Sequence, residues 1–434
     1  MKSAIALVLL LLAAGLARAE VSALNLGLDY RLRAIGIQNN DTQPDTRDNL
    51  SYYSHQARLY MTGWLNEDVE AGIRVQSVSI WGLEGSTSAP VSRYPKTDGT
   101  PWIEQVYLHM PNLMNKHLDI TIGRQPIVIG DGMLVSDDQL GFNALRAKIA
   151  LPRRASLDLF TAKITESLEG HNDSDLNGVV GALDQGDLRW ELAWIQENNS
   201  GPSPYTLAGA TTTAAHVVRN FYDLRLFGNL KDAYYKMEVA MEKGDANVGP
   251  GGVNTTIAGL GERLELGAQS DTAKFGRFGV KALYASGSGD DPGTADKDEA
   301  FRASFAGRWD GLQRAGWGQH FGATLSDAYS PSSPFSPTDT GLPPGASGIK
   351  TMGLGIFTVQ KIHWTGSLDY YTYDSRVKVA GQNSLGAELD AGLSFRYTGF
   401  VTFNLGMAYF FPGDLYGPTA SKVTRYTAET HLHF

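Results

Sequence analysis

Residues 24 to 34 alternate without exception. Leu24, Leu26, Leu28, Tyr30, Leu32 and Ala34 fall on one face, and Asn25, Gly27, Asp29, Arg31 and Arg33 on the other. A period of two marks a strand with one apolar and one polar side. Soluble strands of this kind average about 5–6 residues. This run is about twice that, near the roughly 9–11 residues a tilted strand needs to cross a bilayer. The pattern recurs at 69–80, 233–243 and the C-terminus. It is clearest over 384–397, where Leu385, Ala387, Leu389, Ala391, Leu393, Phe395 and Tyr397 oppose Glu388, Asp390, Ser394 and Arg396.

The periodicity predicts strands at 24–36, 51–66, 69–82, 101–111, 117–130, 142–151, 155–164, 176–184, 188–198, 217–228, 233–243, 256–269, 276–287, 349–359, 362–373, 384–397, 400–410 and 422–434. Those at 155–164 and 176–184 alternate poorly. The connections sort by length. Tight turns such as Glu67-Asp68, 152–154, 185–187, Gln360-Lys361 and Thr398-Gly399 take turns with longer loops at 37–50, 83–100, 131–141, 165–175, 199–216, 244–255, 374–383 and 411–421. Short turns on one rim and long loops on the other are the signature of outer-membrane barrels. The expected fold class is therefore all-β: a single transmembrane antiparallel β-barrel of about 18 strands, with short periplasmic turns, long extracellular loops and both termini on the periplasmic rim. One connection stands apart. Residues 288–348 are rich in Gly, Pro and Ser, and a loop so long is functional or disordered. It either folds inward to narrow the pore or stands outside as a flap.

Composition narrows the function. The chain of 434 residues has no cysteine and a formal charge of −9. That excludes a disulfide framework, a thiolate nucleophile and a zinc–thiolate site, and argues against a general nucleic-acid binder. Lys2, the apolar run from Ala4 to Leu16 and Ala17-Arg18-Ala19 read as a cleaved signal peptide over 1–19, with 20–434 as one barrel domain. Loss of the two cations Lys2 and Arg18 takes the charge from −9 to −11. No later apolar run approaches the ~20 residues of a membrane helix. The terminal Phe434 resembles the C-terminal aromatic of barrels inserted by the outer-membrane barrel assembly machinery. That machinery and outer-membrane lipid are the expected partners, and the bacterial outer membrane the expected location.

Alternation also sorts the charges. The expected lumen cations are Arg31, Arg33, Arg58, Arg74, Arg146, Lys148, Arg189, Arg225, Lys236, Arg263, Lys281, Arg396 and Arg425. The expected lumen anions include Asp29, Glu70, Asp119, Glu191, Asp223, Glu238, Glu265, Asp369, Glu388, Asp390 and Glu429. Barrel closure brings the first three strands beside the last. This places Arg31, Arg33, Arg58, Arg74 and Arg425 on one cationic wall, with Arg396 two strands further on. Guanidinium groups grip carboxylates through paired hydrogen bonds, and a pore must also release what it admits. The competing use of these arginines is an Arg–Glu ladder that stiffens the wall.

Enzymatic chemistry has no foothold. G-x-S-x-G and H-E-x-x-H are both absent, so no catalytic residue, cofactor or metal is assigned. His431 and His433 share the lumen parity. The acidic groups Asp131, Asp137, Asp138 and Asp290, Asp291, Asp296, Asp298, Glu299 lack EF-hand spacing and read as solvated loops.

Several short motifs fall in order along the chain: Gly123-Arg124-Gln125, Gly130-Asp131-Gly132-Met133-Leu134, Phe142-Asn143-Ala144-Leu145-Arg146, Tyr284-Ala285-Ser286-Gly287, Leu385-Gly386-Ala387-Glu388-Leu389-Asp390 and Phe410-Phe411-Pro412-Gly413. Together they resemble the alginate export family of outer-membrane porins, with Asn143 standing where that family often has Asp. The resemblance implies an 18-stranded barrel whose lumen arginines attract an anionic polysaccharide. It also implies Arg124 and Arg146 as pore residues and a periplasmic export complex as a further partner. Alternation from Leu118, Ile120 and Ile122 points Arg124 outward unless Gly123 or Pro126 introduces a bulge. The expected function is a channel for a polar, anionic solute, with export of an alginate-like polysaccharide as its sharpest form. The alternatives are a general or nutrient-uptake porin of the same fold passing small anions, and a barrel serving as a surface interaction or sheath protein.

Overall fold

The computed structural model describes residues 23–40, 42, 49–65, 68–82, 98–167, 172–207, 210–272, 276–294, 296–326, 342–343, 345–359 and 363–434. Eighteen strands form the wall. In chain order they are β1 Ala23–Gln38, β2 Leu50–Trp64, β3 Glu70–Ile80, β4 Trp102–Asn112, β5 Leu118–Gln125, β6 Phe142–Leu151, β7 Ala155–Thr165, β8 Ser174–Asp184, β9 Leu188–Asn199, β10 Ala210–Leu230, β11 Ala233–Val248, β12 Val253–Thr272, β13 Gly276–Gly287, β14 Ile349–Val359, β15 Trp364–Val379, β16 Gln382–Arg396, β17 Val401–Pro412 and β18 Val423–His433. Each pairs antiparallel with its neighbour in sequence, and β1 pairs antiparallel with β18 to close the ring. The last residue continues that seam, as Phe434 and Leu28 exchange both backbone hydrogen bonds at 3.0 Å. Closure leaves the ring of eighteen wall strands without a first or last strand to present a free edge.

Alternation explains which way each strand faces. Leu26, Leu59, Leu108, Ile122, Leu192, Leu266, Val280, Leu354 and Leu405 all point outward and are exposed. A continuous apolar band of this kind is what hydrocarbon requires of a barrel exterior. No helix among the described residues is long and apolar enough to cross a membrane. The apolar core lies inside the barrel instead, where loop residues pack on the wall. Ile127, Ile129, Leu134 and Val135 meet Phe160, Leu176, Ile195, Phe221 and Phe301 in one cluster. Phe321, Ala323 and Leu342 meet Ile35, Ile37, Tyr373 and Phe410 in a second.

All eighteen expected strands are present, including the weakly alternating pair β7 and β8, and the departures have local causes. Strand β5 ends at Gln125 rather than residue 130, because Pro126 has no N–H for the ladder. The chain then turns inward and buries Ile127 and Ile129. The expected loops 244–255 and 374–383 are hairpins. Strands β11 and β12 extend until only 249–252 remain between them, and β15 and β16 are joined by Ala380 and Gly381. Both of those residues have positive φ, 51° and 86°, as a two-residue hairpin turn demands. The loop 199–216 likewise contains a short strand, Ser203–Leu207, paired with the start of β10. The signal peptide over 1–19 and the turn residues Glu67 and Gln360-Lys361 lie outside the described residues.

Candidate functional site

The cationic wall assembles across β18, β1, β2 and β3. Register sets Arg33 opposite Glu429 and Asp29 opposite Arg58. Arg58 grips Glu104 at 2.5 and 2.9 Å. Arg74 lies 3.5 Å from the same carboxylate and 5.4 Å over the Tyr60 ring. Alternation alone would turn Glu104 to lipid. A bulge turns it inward: Arg74 pairs with Gln105 and Val75 with Ile103, leaving Glu104 without a partner residue. The adjacent polar residues Glu104 and Gln105, both buried, are the sequence trace of that bulge.

A second carboxylate arrives from the long loop. Its residues 291–293 are exposed and Lys297–Asp298 pair with the wall at Thr256–Ile257, while residues 300–326 fold into the lumen, so the inward alternative is the observed one for this latter part of the loop. Within it Trp309–Asp310 pairs with Gln313–Arg314 in a small hairpin. Asp310 accepts Arg31 Nη1 through both oxygens at 2.8 Å and Arg33 Nη2 at 2.7 Å. Arg33 Nη1 also donates to the Asp310 carbonyl at 2.8 Å, and Arg33 Nε to Glu429. Arg425 Nη2 donates to Gln313 Oε1. Burial alone would raise the Asp310 pKa, but Arg33 and Arg31 hold it below the usual carboxylate range.

The loop after β5 repeats the arrangement on the far wall. Asp131, expected in a solvated external loop, sits inside the barrel against Arg225 at 2.5 Å, Lys236 at 3.0 Å and Arg263 at 3.6 Å. It too is held below the usual range, its burial outweighed by Lys236 and the two arginines. The two inward loops are bonded to each other. Ser136 N–H donates to Phe305 O at 2.6 Å, Gly307 N–H to Gly132 O at 2.7 Å, and Arg308 N–H to the Asp138 carboxylate at 3.2 Å.

Glu388 and Asp390 face the lumen as alternation requires, yet their oxygens hold the loop. Glu388 accepts the N–H groups of His320 and Phe321 at 2.7 and 3.0 Å, and Asp390 that of Gln319 at 2.9 Å. Glu197 and Glu242 do the same for Ser304 and Arg302, at 2.9 and 2.7 Å. Buried loop amides need acceptors, and a run of wall carboxylates supplies them. His320, burial first and the nearby Arg425 second, is pushed down to about 3 and stays neutral.

Arg146 forms a two-pronged pair with Asp158 at 2.9 and 2.6 Å. It borders two cavities, of about 430 and 310 Å³. The larger is lined by Arg58, Arg74, Arg146 and Lys148 against two carboxylates, Asp119 and Asp137. Arg124 is a correction. Strand β5 has no register shift, so Arg124 stays opposite Val106 and Asn143 on the outward parity. Its Nε donates to the carbonyls of Glu104 and Leu140 at 3.2 and 2.9 Å, and the residue braces the bulge instead of lining the pore. Arg396 is exposed beside the β16–β17 turn, in one transverse row with Thr402, His431 and Arg31. His431 pairs with Asp29 at 3.0 Å. Among the described residues no group of three or more His, Asp or Glu is placed to hold a metal ion.

No family model and no curated protein matches the chain. Solved structures do. OpdK of Pseudomonas aeruginosa, solved with vanillate, aligns over 94% of this chain and 99% of its own with a TM-score of 0.55 and 10% identity. OccK9 (OpdG) of the same organism covers 95% and 99% at a TM-score of 0.58 and 10% identity. OccAB1 of Acinetobacter baumannii covers 96% and 99% at 0.56 and 10%. Identity this low speaks to fold alone. The chain is a closed, 18-stranded antiparallel barrel with the fold of these outer-membrane porins.

Proposed function

We propose that the chain is a bacterial outer-membrane channel that admits small anionic solutes, a nutrient-uptake porin in class. The observation that carries this reading is the cavity beneath the loop after β5, lined by Arg58, Arg74, Arg146 and Lys148, where Arg58 and Arg74 share the single carboxylate of Glu104. A solute carboxylate there competes with the wall carboxylates Glu104 and Asp158 for guanidinium contacts, which in water are weak enough to exchange and release. The apolar exterior and the fold of the porins above support the location. That OpdK was solved with vanillate, an aromatic carboxylate, supports the solute class.

Export of an alginate-like chain keeps the support of the ordered motifs around Gly123-Arg124-Gln125 and Leu385 to Asp390. The lumen favours the smaller solute. Two loops cross it and bond to each other, and the spaces beside them include cavities of about 310 to 570 Å³, the size range of small-molecule sites. Liposome swelling separates the two. Proteoliposomes in isotonic sodium vanillate should swell faster than in isotonic sucrose, with alginate oligomers neither entering nor blocking. Rapid entry or block by the oligomers, with vanillate excluded, would transfer the assignment to polysaccharide export.

A further inference from the structure

Two short turns on the rim that carries both termini break the local rules of turn chemistry. Residues 113–117 join β4 to β5, and 152–154 join β6 to β7. Met114, Asn115 and Lys116 have φ of 49°, 58° and 69°, and Arg153 and Arg154 of 62° and 58°. The left-handed region favours glycine and, after it, asparagine. The turn 185–187 on the same rim follows that preference, with Gly186 at φ 87°. Lys116, Arg153 and Arg154 instead keep long cationic side chains on a backbone that disfavours them. Residues that break a local rule in this way mark functional positions.

The β5–β6 ladder sets the two turns side by side. Leu118 pairs with Ile149, and beyond it Ala150 N–H donates to His117 O at 2.8 Å. One strand spacing, about 5 Å, therefore separates the turns. Lys116, His117, Arg153 and Arg154 are all exposed, and none of them has an ion-pair partner among the described residues. The excess of positive charge is local. Asp184 accepts Gly186 N–H of its own turn at 2.8 Å, and the turn after β10 sets Asp232 directly beside Lys231. Apolar side chains flank the basic ones, Met114 at 76% exposure and Leu151 at 45%. Leu151 ends the outward apolar run of β6, which begins at Leu145 below the polar Asn143. Six residues of strand rise about 20 Å, roughly 15 Å in height at the usual tilt, against the ~25 Å of a barrel's apolar band. The wall is short in this sector, so its turns are drawn up to the lipid headgroups.

We propose that these two turns bind an anionic phospholipid of the periplasmic leaflet. Lys116, Arg153 and Arg154 hold its phosphate, and its acyl chains run along the wall past Met114 and Leu151. Guanidinium groups take phosphate oxygens in pairs, and clustered cations at a membrane surface select lipids of net negative charge. The inference goes beyond the channel reading and rests only on the outer-membrane location. The test is native mass spectrometry of the full chain in detergent micelles, offered equimolar phosphatidylglycerol and phosphatidylcholine of matched chain length. The wild type should retain phosphatidylglycerol in at least tenfold excess. Lys116→Asn with Arg153→Asn and Arg154→Asn removes the charge and supplies a residue that tolerates left-handed φ, so this variant should fold and lose the preference. Arg153→Asn with Arg154→Asn, expected to lose part of it, serves if the triple variant does not fold. Lys243→Gln, which removes an exposed cation near the other rim, should keep it, and excess inorganic phosphate should not displace the lipid. Equal retention of the two lipids, an undiminished preference in the folded variants, an equal loss in Lys243→Gln, or displacement by phosphate would overturn the proposal.

Discussion

Glu104 is fully buried and serves two arginines at once, which makes it the residue on which the cationic wall depends. Removing one partner of a buried pair leaves an uncompensated charge and costs about 3–5 kcal/mol. Glu104→Ala should lower unfolding stability in urea by roughly that amount, and the double variant Glu104→Leu with Arg58→Met should recover most of it. Equal losses in single and double variants would mean that the ion pair is not what the wall needs. A second residue gives the lumen a pH response. Asp137 is pushed up to about 6, from 3.8, by burial and then by Glu104. The seated loop therefore binds this proton more tightly than a released loop does. Seating is strongest below pH 3.8 and weakens as pH rises through about 6. The open fraction of single channels should grow between pH 4 and 7, and Asp137→Asn should flatten the dependence. Which arginines face inward was legible from alternation, because a period of two admits no other reading of Arg31, Arg33, Arg58 and Arg74. Their partners were not. Glu104 needs a bulge, and Asp310 reaches Arg31 across 279 positions of sequence, which no local pattern records.

At the scale of elements, the strands were readable and the loops only partly so. Hydrocarbon outside and water or polar loop inside impose alternation on every strand, so β1 and β16 declare themselves. Hairpins that extend past the membrane obey no such rule, and 244–255 and 374–383 therefore read as loops. The inward course of the loop after β5 has a trace in Pro126 and the apolar residues Ile127 and Ile129, which an external loop would not need. Its union with the long loop can be tested directly. A Cβ on Gly307 would stand 3.2 Å from that of Ser136, just under the 3.5–4.5 Å span of disulfides. The chain has no cysteine of its own to interfere. Ser136→Cys with Gly307→Cys should form a disulfide that locks the two loops, reduces opening events severalfold and is reversed by dithiothreitol. Free thiols in the oxidised double variant would show that the loops do not meet.

For the whole molecule, the near balance of lumen cations and anions in sequence conceals a division of labour. Glu197, Glu242, Glu388 and Asp390 accept backbone amides and hold the long loop in place. Asp131 and Asp310 are carried inward by the loops themselves onto arginine clusters. In the cavity under the loop after β5, Arg58 and Arg74 share the one carboxylate of Glu104 beside Arg146 and Lys148, a local cluster of cations that draws arriving anions. The most direct measurement is the reversal potential of the purified channel in a planar bilayer under a KCl gradient, with the triple variant Arg58→Ser, Arg74→Ser, Arg425→Ser beside the wild type. The wild type should be clearly anion-selective and the folded triple variant much less so. A wild type that is unselective or cation-selective would contradict the account.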